Sequence, residues 1–341
     1  MKHNGLGRHW WSGLFLAPAL LLGAASLLLN SCQSNGTPRP EEDVDYRGEM
    51  RGLVGEIAEY ARGSAPGFVV IPQNGQELLT LDGEPEGPLA TEYIEAIDGQ
   101  GREDLFYGYD RDDVATPEDE IAWMAGFLDR AVDTGVTVLV TDYCSTQSRM
   151  DDSYQQNSAR GYLSFAAPSR ELDTVPTYPP EPDGANTRDI TALGDAANFL
   201  YLLNPERFES REAYLTALEG SEYDLLIIDA FYEETMLSAT EVERLRVKPG
   251  GGSRLVLSYL SIGEAEEYRY YWQESWYGSP PPFLLEENPD WPGNYLVRYW
   301  DAEWKALLFG SASAYLDRIL AAGFDGVYLD IIDAFERWEE R

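Results

Sequence analysis

The residues of this sequence best suited to chemistry are carboxylates, and they stand just beyond short apolar runs. The clearest case is Gly323–Glu336, which reads GFDGVYLDIIDAFE. Its Gly326–Leu329 portion is too uniformly apolar to have a wet face, as expected of a strand in a parallel sheet. Asp330 and Asp333 follow directly. In a βα-barrel the C-terminal strand ends carry the catalytic groups. Asp333 is equally suited to cap the next helix, whereas Asp330 comes too early for that. The run before the strand, residues 314–322, has helical spacing and stops at Gly323, a residue suited to a helix C-cap.

What these carboxylates can do is narrowed by what the chain lacks. The sequence has two histidines, His3 and His9. Both fall in residues 1–31, where Lys2 and Arg8 precede an apolar run from Leu14 to Leu29 that closes on Leu29-Asn30-Ser31-Cys32. This pattern reads as a secretory signal with a lipoprotein-like cleavage site, Cys32 taking lipid and becoming the mature N-terminus. An uncleaved membrane anchor is the alternative. Either way the rest of the chain lies outside the cytoplasm, tethered to the cell envelope. A mature chain without histidine has no Ser-His-Asp or Cys-His nucleophile pair and no imidazole metal site. With Cys32 lipidated, Cys144 is alone and no intrachain disulfide forms.

The formal net charge is −35, and the first 31 residues contribute basic side chains but no acidic ones. Such a surface repels nucleic acid and attracts a cationic polymer. Solubility alone would also account for it. No cofactor motif is present, and although carboxylates can hold calcium or magnesium, no calcium-loop spacing occurs.

Residues 32–46 read as a flexible tether and 47–341 as one domain. Met50, Leu53, Val54, Ile57, Ala58 and Ala61 recur at helical spacing. Strands are expected at 68–71, 105–107, 136–140, 199–202, 225–228, 255–259, 295–297 and 326–329. A further short strand at 162–166 is left out of that count. Helices are expected after Thr116-Pro117, over 210–218, after the capping box Ser238–Glu241, and over 304–309. Eight strands alternating mostly with helices predict an α/β fold, a (β/α)8 TIM-like barrel. An open doubly wound sheet is the runner-up, but the glycine-rich phosphate loop often found after its first strand is absent.

On that barrel Glu77, Asp142, Asp229, Glu264, Asp330 and Asp333 converge on one mouth. Tyr107, Tyr259, Tyr268, Arg269, Tyr271, Trp272, Trp276, Trp291 and Trp300 lie around them. Paired carboxyls cleave glycosidic bonds and flat rings stack on sugar faces. Wall packing explains any single aromatic equally well, but their concentration in 268–300 is consistent with a groove.

Four segments carry a resemblance: Tyr259–Trp272 (YLSIGEAEEYRYYW), Asn294–Asp301 (NYLVRYWD), Gly323–Glu336 and Val70–Glu77 (VIPQNGQE). They resemble bacterial and archaeal glycoside hydrolases related to the endo-α-1,4-polygalactosaminidases and to the hydrolase domain of bacterial galactosaminoglycan-processing proteins. The resemblance implies a TIM-like barrel acting on an α-linked galactosamine or N-acetylgalactosamine polysaccharide. In that family the segment like Gly323–Asp333 precedes the one like Val70–Glu77, so the reversed order here implies a circular permutation, which a closed ring with neighbouring ends tolerates.

By match to the family's motifs the catalytic pair is Asp330, as nucleophile or charge stabiliser, and Glu77, as general acid. Asp229, Glu264, Asn74 and Asp142 would hold the sugar, with Tyr259, Arg269, Trp272 and Asp333 beside them. Fungal members have Glu-Pro where this chain has Tyr328-Leu329, so the substrate need not be the same. A partly deacetylated, cationic galactosaminan would suit so acidic a protein. Two readings of different class remain open: a surface-tethered glycosidase, and a catalytically silent glycan-binding lipoprotein on the same barrel. A purely structural envelope protein is a third.

Overall fold

The computed structural model describes residues 44–341. The expected signal segment, lipidated Cys32 and most of the expected tether lie outside the described residues. The first helix, Tyr46–Ser64, begins at the tether's last residue, where the Asp45 side chain accepts from Gly48 N. It buries Met50, Leu53, Val54, Ile57, Ala58 and Ala61, the face its spacing sets out.

Eight parallel strands form the frame: β1 (Val69–Pro72), β2 (Gly99–Glu103), β3 (Thr137–Tyr143), β4 (Leu163–Ala167), β5 (Leu200–Leu202), β6 (Leu225–Ile228), β7 (Leu255–Ser261) and β8 (Gly326–Asp330). One sheet has the order β1-β8-β7-β6-β5 and the other β2-β3-β4. The chain's last strand thus lies beside its first, with Val69 opposite Gly326 and Pro72 opposite Leu329. β1 also meets β2 through a parallel bridge between Gln73 and Gly101. Among the described residues no strand ladder joins β4 to β5; the rings of Phe165 and Phe199 face each other there at 5.7 Å.

The expected number of strands is present, but two of the expected members are not. Residues 105–107 are not the second strand; β2 is Gly99–Glu103, just upstream. Its Gly-Gln-Gly-Arg-Glu sequence has no apolar signal because its glycines serve close approach. A Cβ on Gly101 would stand 2.2 Å from the Tyr328 hydroxyl, so only glycine leaves room for that buried ring. Residues 295–297 do form a strand, Asn294–Val297, but it pairs antiparallel with Glu264–Glu266 and Leu284–Glu287 in a separate small sheet. The place in the parallel set belongs to β4, the segment left out of the count.

The helices follow their signals more closely. Ser238 and Glu241 form the reciprocal capping box of Ala239–Leu245. Gly323 ends Tyr315–Ala322 in the left-handed region, with φ 81°. Glu118–Asp133 begins one residue after Pro117, but Thr116 does not cap it; its hydroxyl donates to the Asp104 carbonyl instead. Gln147–Arg160 is a helix that apolar periodicity does not announce, since it buries Ser153 and Asn157 along with Met150 and Tyr154.

Candidate active site

Asp330 is the last residue of β8, and the chain leaves it through a constrained turn. Ile331 has φ 58°. A β-branched residue rarely occupies the left-handed region, and such strain persists where the surroundings over-determine it. Here Gly263 packs against the turn so closely that a Cβ on it would stand 2.2 Å from the Ile331 carbonyl. Asp330 itself is half-buried. Its Oδ2 accepts from the Tyr259 hydroxyl at 2.8 Å, across from β7. Burial first, and then the charge of Glu103, push its carboxyl up to about 8, against the Tyr259 hydrogen bond.

Glu103 ends β2 and is a site residue the sequence reading missed. Asn74, itself at φ 62°, clasps it twice: its Nδ2 donates to Glu103 Oε2 at 3.0 Å and its Oδ1 accepts from Glu103 N at 3.1 Å. The Tyr143 hydroxyl donates to the other carboxylate oxygen. Beneath, the Tyr201 hydroxyl donates to Gln73 Oε1 at 2.8 Å, and the rings of Tyr201 and Tyr328 meet at 5.1 Å. Asn74 therefore acts first as the brace of Glu103. The signal that could have found Glu103 is its place one residue before Asp104, at the end of a glycine-bearing polar strand.

Glu77 lies on the 3-10 helix Gln76–Leu79, one turn past β1. It is buried, and its Oε2 has no hydrogen-bond partner. Desolvation raises its pKa, while Arg102 and Arg47 act to lower it. Asp333 stands at the N-cap of Ala334–Glu339, yet its side chain makes no capping hydrogen bond, so the capping alternative does not hold. Its carboxyl is pushed up to about 6 by burial and then by the charge of Glu77. Asp333 also raises Asp330. It is the charged neighbour that Asp330 and Glu77 share.

A second network lies at the ends of β6 and β7. Arg269 is buried and bridges Asp229 at 2.8 Å and Glu266 at 2.7 Å. The Tyr268 hydroxyl donates to Glu266 at 2.6 Å. The ring of Tyr268 is exposed. Glu264 is buried and accepts from Asn288 at 2.9 Å and Arg337 at 3.3 Å, yet burial still pushes it up to about 7. Trp272 is half-buried and packs on Trp276 and Tyr295, each at 4.9 Å between ring centres.

Asp142 does not join this mouth. It is fully buried, and its Oδ1 accepts from Phe106 N at 2.8 Å and Tyr107 N at 3.1 Å. Its Oδ2 accepts from Ser153 at 2.6 Å and Asn157 at 3.3 Å. With its acceptors filled it shapes the loop after β2, and the expected sugar contact gives way to that structural role. An open cleft of about 820 Å³, lined by Asp151, Tyr154 and the Pro179–Ala185 loop, contains none of these site carboxylates.

Comparison with known proteins adds a chemical class. The chain is 39% identical over 158 residues to an uncharacterized protein of Methanocaldococcus jannaschii, covering 46% of this chain and 43% of that protein. It is 43% identical over 127 residues to an uncharacterized protein of Deinococcus radiodurans (37% of this chain, 39% of that protein). A third, from Thermotoga maritima, is 38% identical over 133 residues (39% and 40%). The chain thus spans about two fifths of the length of the curated relatives it matches. Residues 183–341, which carry Asp229, Glu264, Asp330 and Asp333, match the model of Glycoside-hydrolase family GH114, and the match supports a glycosidase.

Proposed function

We propose that this protein hydrolyses a polysaccharide of α-linked galactosamine or N-acetylgalactosamine, with Asp330 and Glu77 as the working carboxylates. The observation that carries the reading is Asp330: a half-buried carboxylate at the C-terminal end of a parallel strand, held by Tyr259 and set among other carboxyls, within the segment that matches a glycoside-hydrolase family. Asp330 acts at the anomeric carbon, as nucleophile or as stabiliser of the developing positive charge. Glu77, whose pKa burial raises, gives its proton to the leaving glycosidic oxygen. Arg269 with Asp229, and Trp272 with its neighbouring rings, offer polar and flat surfaces for sugar units.

In this reading the eight strands close as a (β/α)8 barrel in circularly permuted order. Support comes from the pairing of β1 with β8 and from the meeting of the first and last helices, where Arg47 bridges Glu339 at 2.9 Å and the rings of Tyr46 and Trp338 stack at 5.7 Å. The enzyme is tethered to the cell envelope through a lipid on Cys32. Metabolic labelling with an alkynyl fatty acid tests this: label on the parent and none on Cys32→Ala supports the tether, and an unlabelled parent contradicts it.

Incubation of the protein with acetylated and deacetylated galactosaminan, followed by mass spectrometry of released oligosaccharides, tests the activity. Oligosaccharide release supports the reading. Retention on the immobilised polymer without release would favour the silent glycan-binding protein instead.

A further inference from the structure

Glu267 directly follows the small-sheet strand Glu264–Glu266, and its surroundings are aromatic rather than cationic. Its backbone N–H donates to the Gly293 carbonyl at 2.8 Å, where the chain turns with φ 91°. A Cβ on Gly293 would stand 3.3 Å from Glu267 Cγ, so a glycine there lets the turn lie against the stem of the carboxylate. The Tyr277 hydroxyl donates to Glu267 Oε2 at 3.0 Å, and the Tyr295 hydroxyl donates to the same oxygen at 3.2 Å. Both rings also meet Trp272, at 5.6 and 4.9 Å between centres. Among the described residues no hydrogen bond reaches Oε1 and no ion pair reaches Glu267.

A carboxylate among aromatic rings, with no cation of the protein to pair with, suits an ammonium group. The carboxylate accepts its N–H bonds and the rings offer their negative faces. We propose that Glu267, Tyr277, Tyr295 and Trp272 form a subsite for a sugar unit with a free amine, so that the protein selects deacetylated stretches of its polymer. This rests on the reading of an amino-sugar polysaccharide as the substrate.

The surface around the subsite fits such a chain. Tyr277 is 56% exposed, and Trp291, 51% exposed, opens the turn through Gly293, its carbonyl accepting from Asn294 N at 3.1 Å. Rings left this open give a sugar face something to stack on. Glu287 stands opposite Tyr295 across the small sheet, and Glu274 begins the 3-10 helix that ends at Tyr277, so both add negative charge. The preceding residue, Glu266, bridges Arg269, which bridges Asp229 beyond β6. The subsite is thus one residue along the chain from the network at the ends of β6 and β7. An N-acetyl unit keeps the stacking but carries no charge for Glu267 to attract.

The test is isothermal titration of the protein with a galactosamine oligomer and with its fully N-acetylated counterpart, with mass spectrometry of the same samples to follow cleavage. The parent binds the free-amine oligomer more tightly. Glu267→Gln weakens that binding roughly tenfold and changes binding of the acetylated oligomer by less than about twofold. Glu303→Gln, which removes the same charge from an exposed helix position, leaves both unchanged. Equal loss of both oligomers in Glu267→Gln, no loss of either, or a matching loss in Glu303→Gln overturns the subsite. A parent that binds the two oligomers alike overturns it without any variant, so a substitution that fails to fold does not block the answer. Binding that depends on Glu267 and on the amine, with no cleavage product, leaves the subsite standing and overturns the hydrolase.

Discussion

The Tyr259 hydroxyl donates to Asp330 Oδ2 over 2.8 Å, from the strand next to the one Asp330 ends. That bond favours the ionised carboxylate, while burial and Glu103 favour the protonated form and hold Asp330 at about 8. If Asp330 must be ionised to act, kcat/KM in the parent rises from neutral pH with a limb near 8. Tyr259→Phe removes the opposing bond, so its limb moves to higher pH and the rate at pH 7 falls. A limb that stays in place would mean that Asp330 is not the group titrating.

Five buried or half-buried carboxyls should set a stability optimum below neutrality. Asp330 at about 8, Glu336 at about 9, Asp104 and Glu264 at about 7 and Asp333 at about 6 all lie above their unfolded values, chiefly through burial. The stability each contributes is complete below its unfolded pKa and is lost as pH rises through the folded value. Glu241, held down to about 2 by Arg211, contributes the other way, losing its share as pH falls toward 2. Thermal unfolding should therefore give a higher Tm at pH 5 than at pH 8. Glu336→Gln should narrow the difference, raising Tm at pH 8 more than at pH 5. A Tm that climbs steadily from pH 5 to pH 8 contradicts this.

Asp142→Ala separates a structural carboxylate from a sugar contact. It strips the acceptor from two backbone amides and two side-chain donors in a buried place. Each orphaned group costs roughly 1–3 kcal/mol. Urea denaturation should show a loss of several kcal/mol, with kcat of the folded fraction close to the parent. Unchanged stability with a raised KM would restore the sugar contact.

The two ends of the described residues can be joined if the permuted reading is right. Linking residue 341 to residue 44 with a short flexible segment, and opening the chain in the exposed Pro179–Gly184 loop, should give a soluble protein with the parent circular-dichroism spectrum and activity. An aggregated or molten product would argue that the present order is not a relocated set of ends.

Much of this was legible wherever apolar content and punctuation agreed. β8, its glycine-capped helix and Asp330 at the strand end stand where the sequence puts them, because a buried parallel strand must be apolar throughout. Reading failed where packing replaced that signal. β2 carries glycine at 101 because Tyr328 occupies the space a side chain there would take, and at 99 because Leu193 and the Thr137 carbonyl do, so the strand has no apolar signal and Glu103 at its end was missed as well. Residues 295–297 and 162–166 are both short apolar runs, and periodicity alone cannot say which joins the parallel set. The helix Gln147–Arg160 was hidden because its buried face is partly Ser153 and Asn157, donors to Asp142.

If Asp330 and Glu77 break a glycosidic bond, turnover must depend on both. The most direct measurement is the initial rate of oligosaccharide release from galactosaminan by the parent, Asp330→Asn and Glu77→Gln, with binding to the polymer measured alongside. The expected result is measurable turnover in the parent, a loss of roughly 10²–10⁴-fold in each variant, and retained binding in both. Turnover that survives either substitution, or a parent that binds the polymer and never cleaves it, would contradict it.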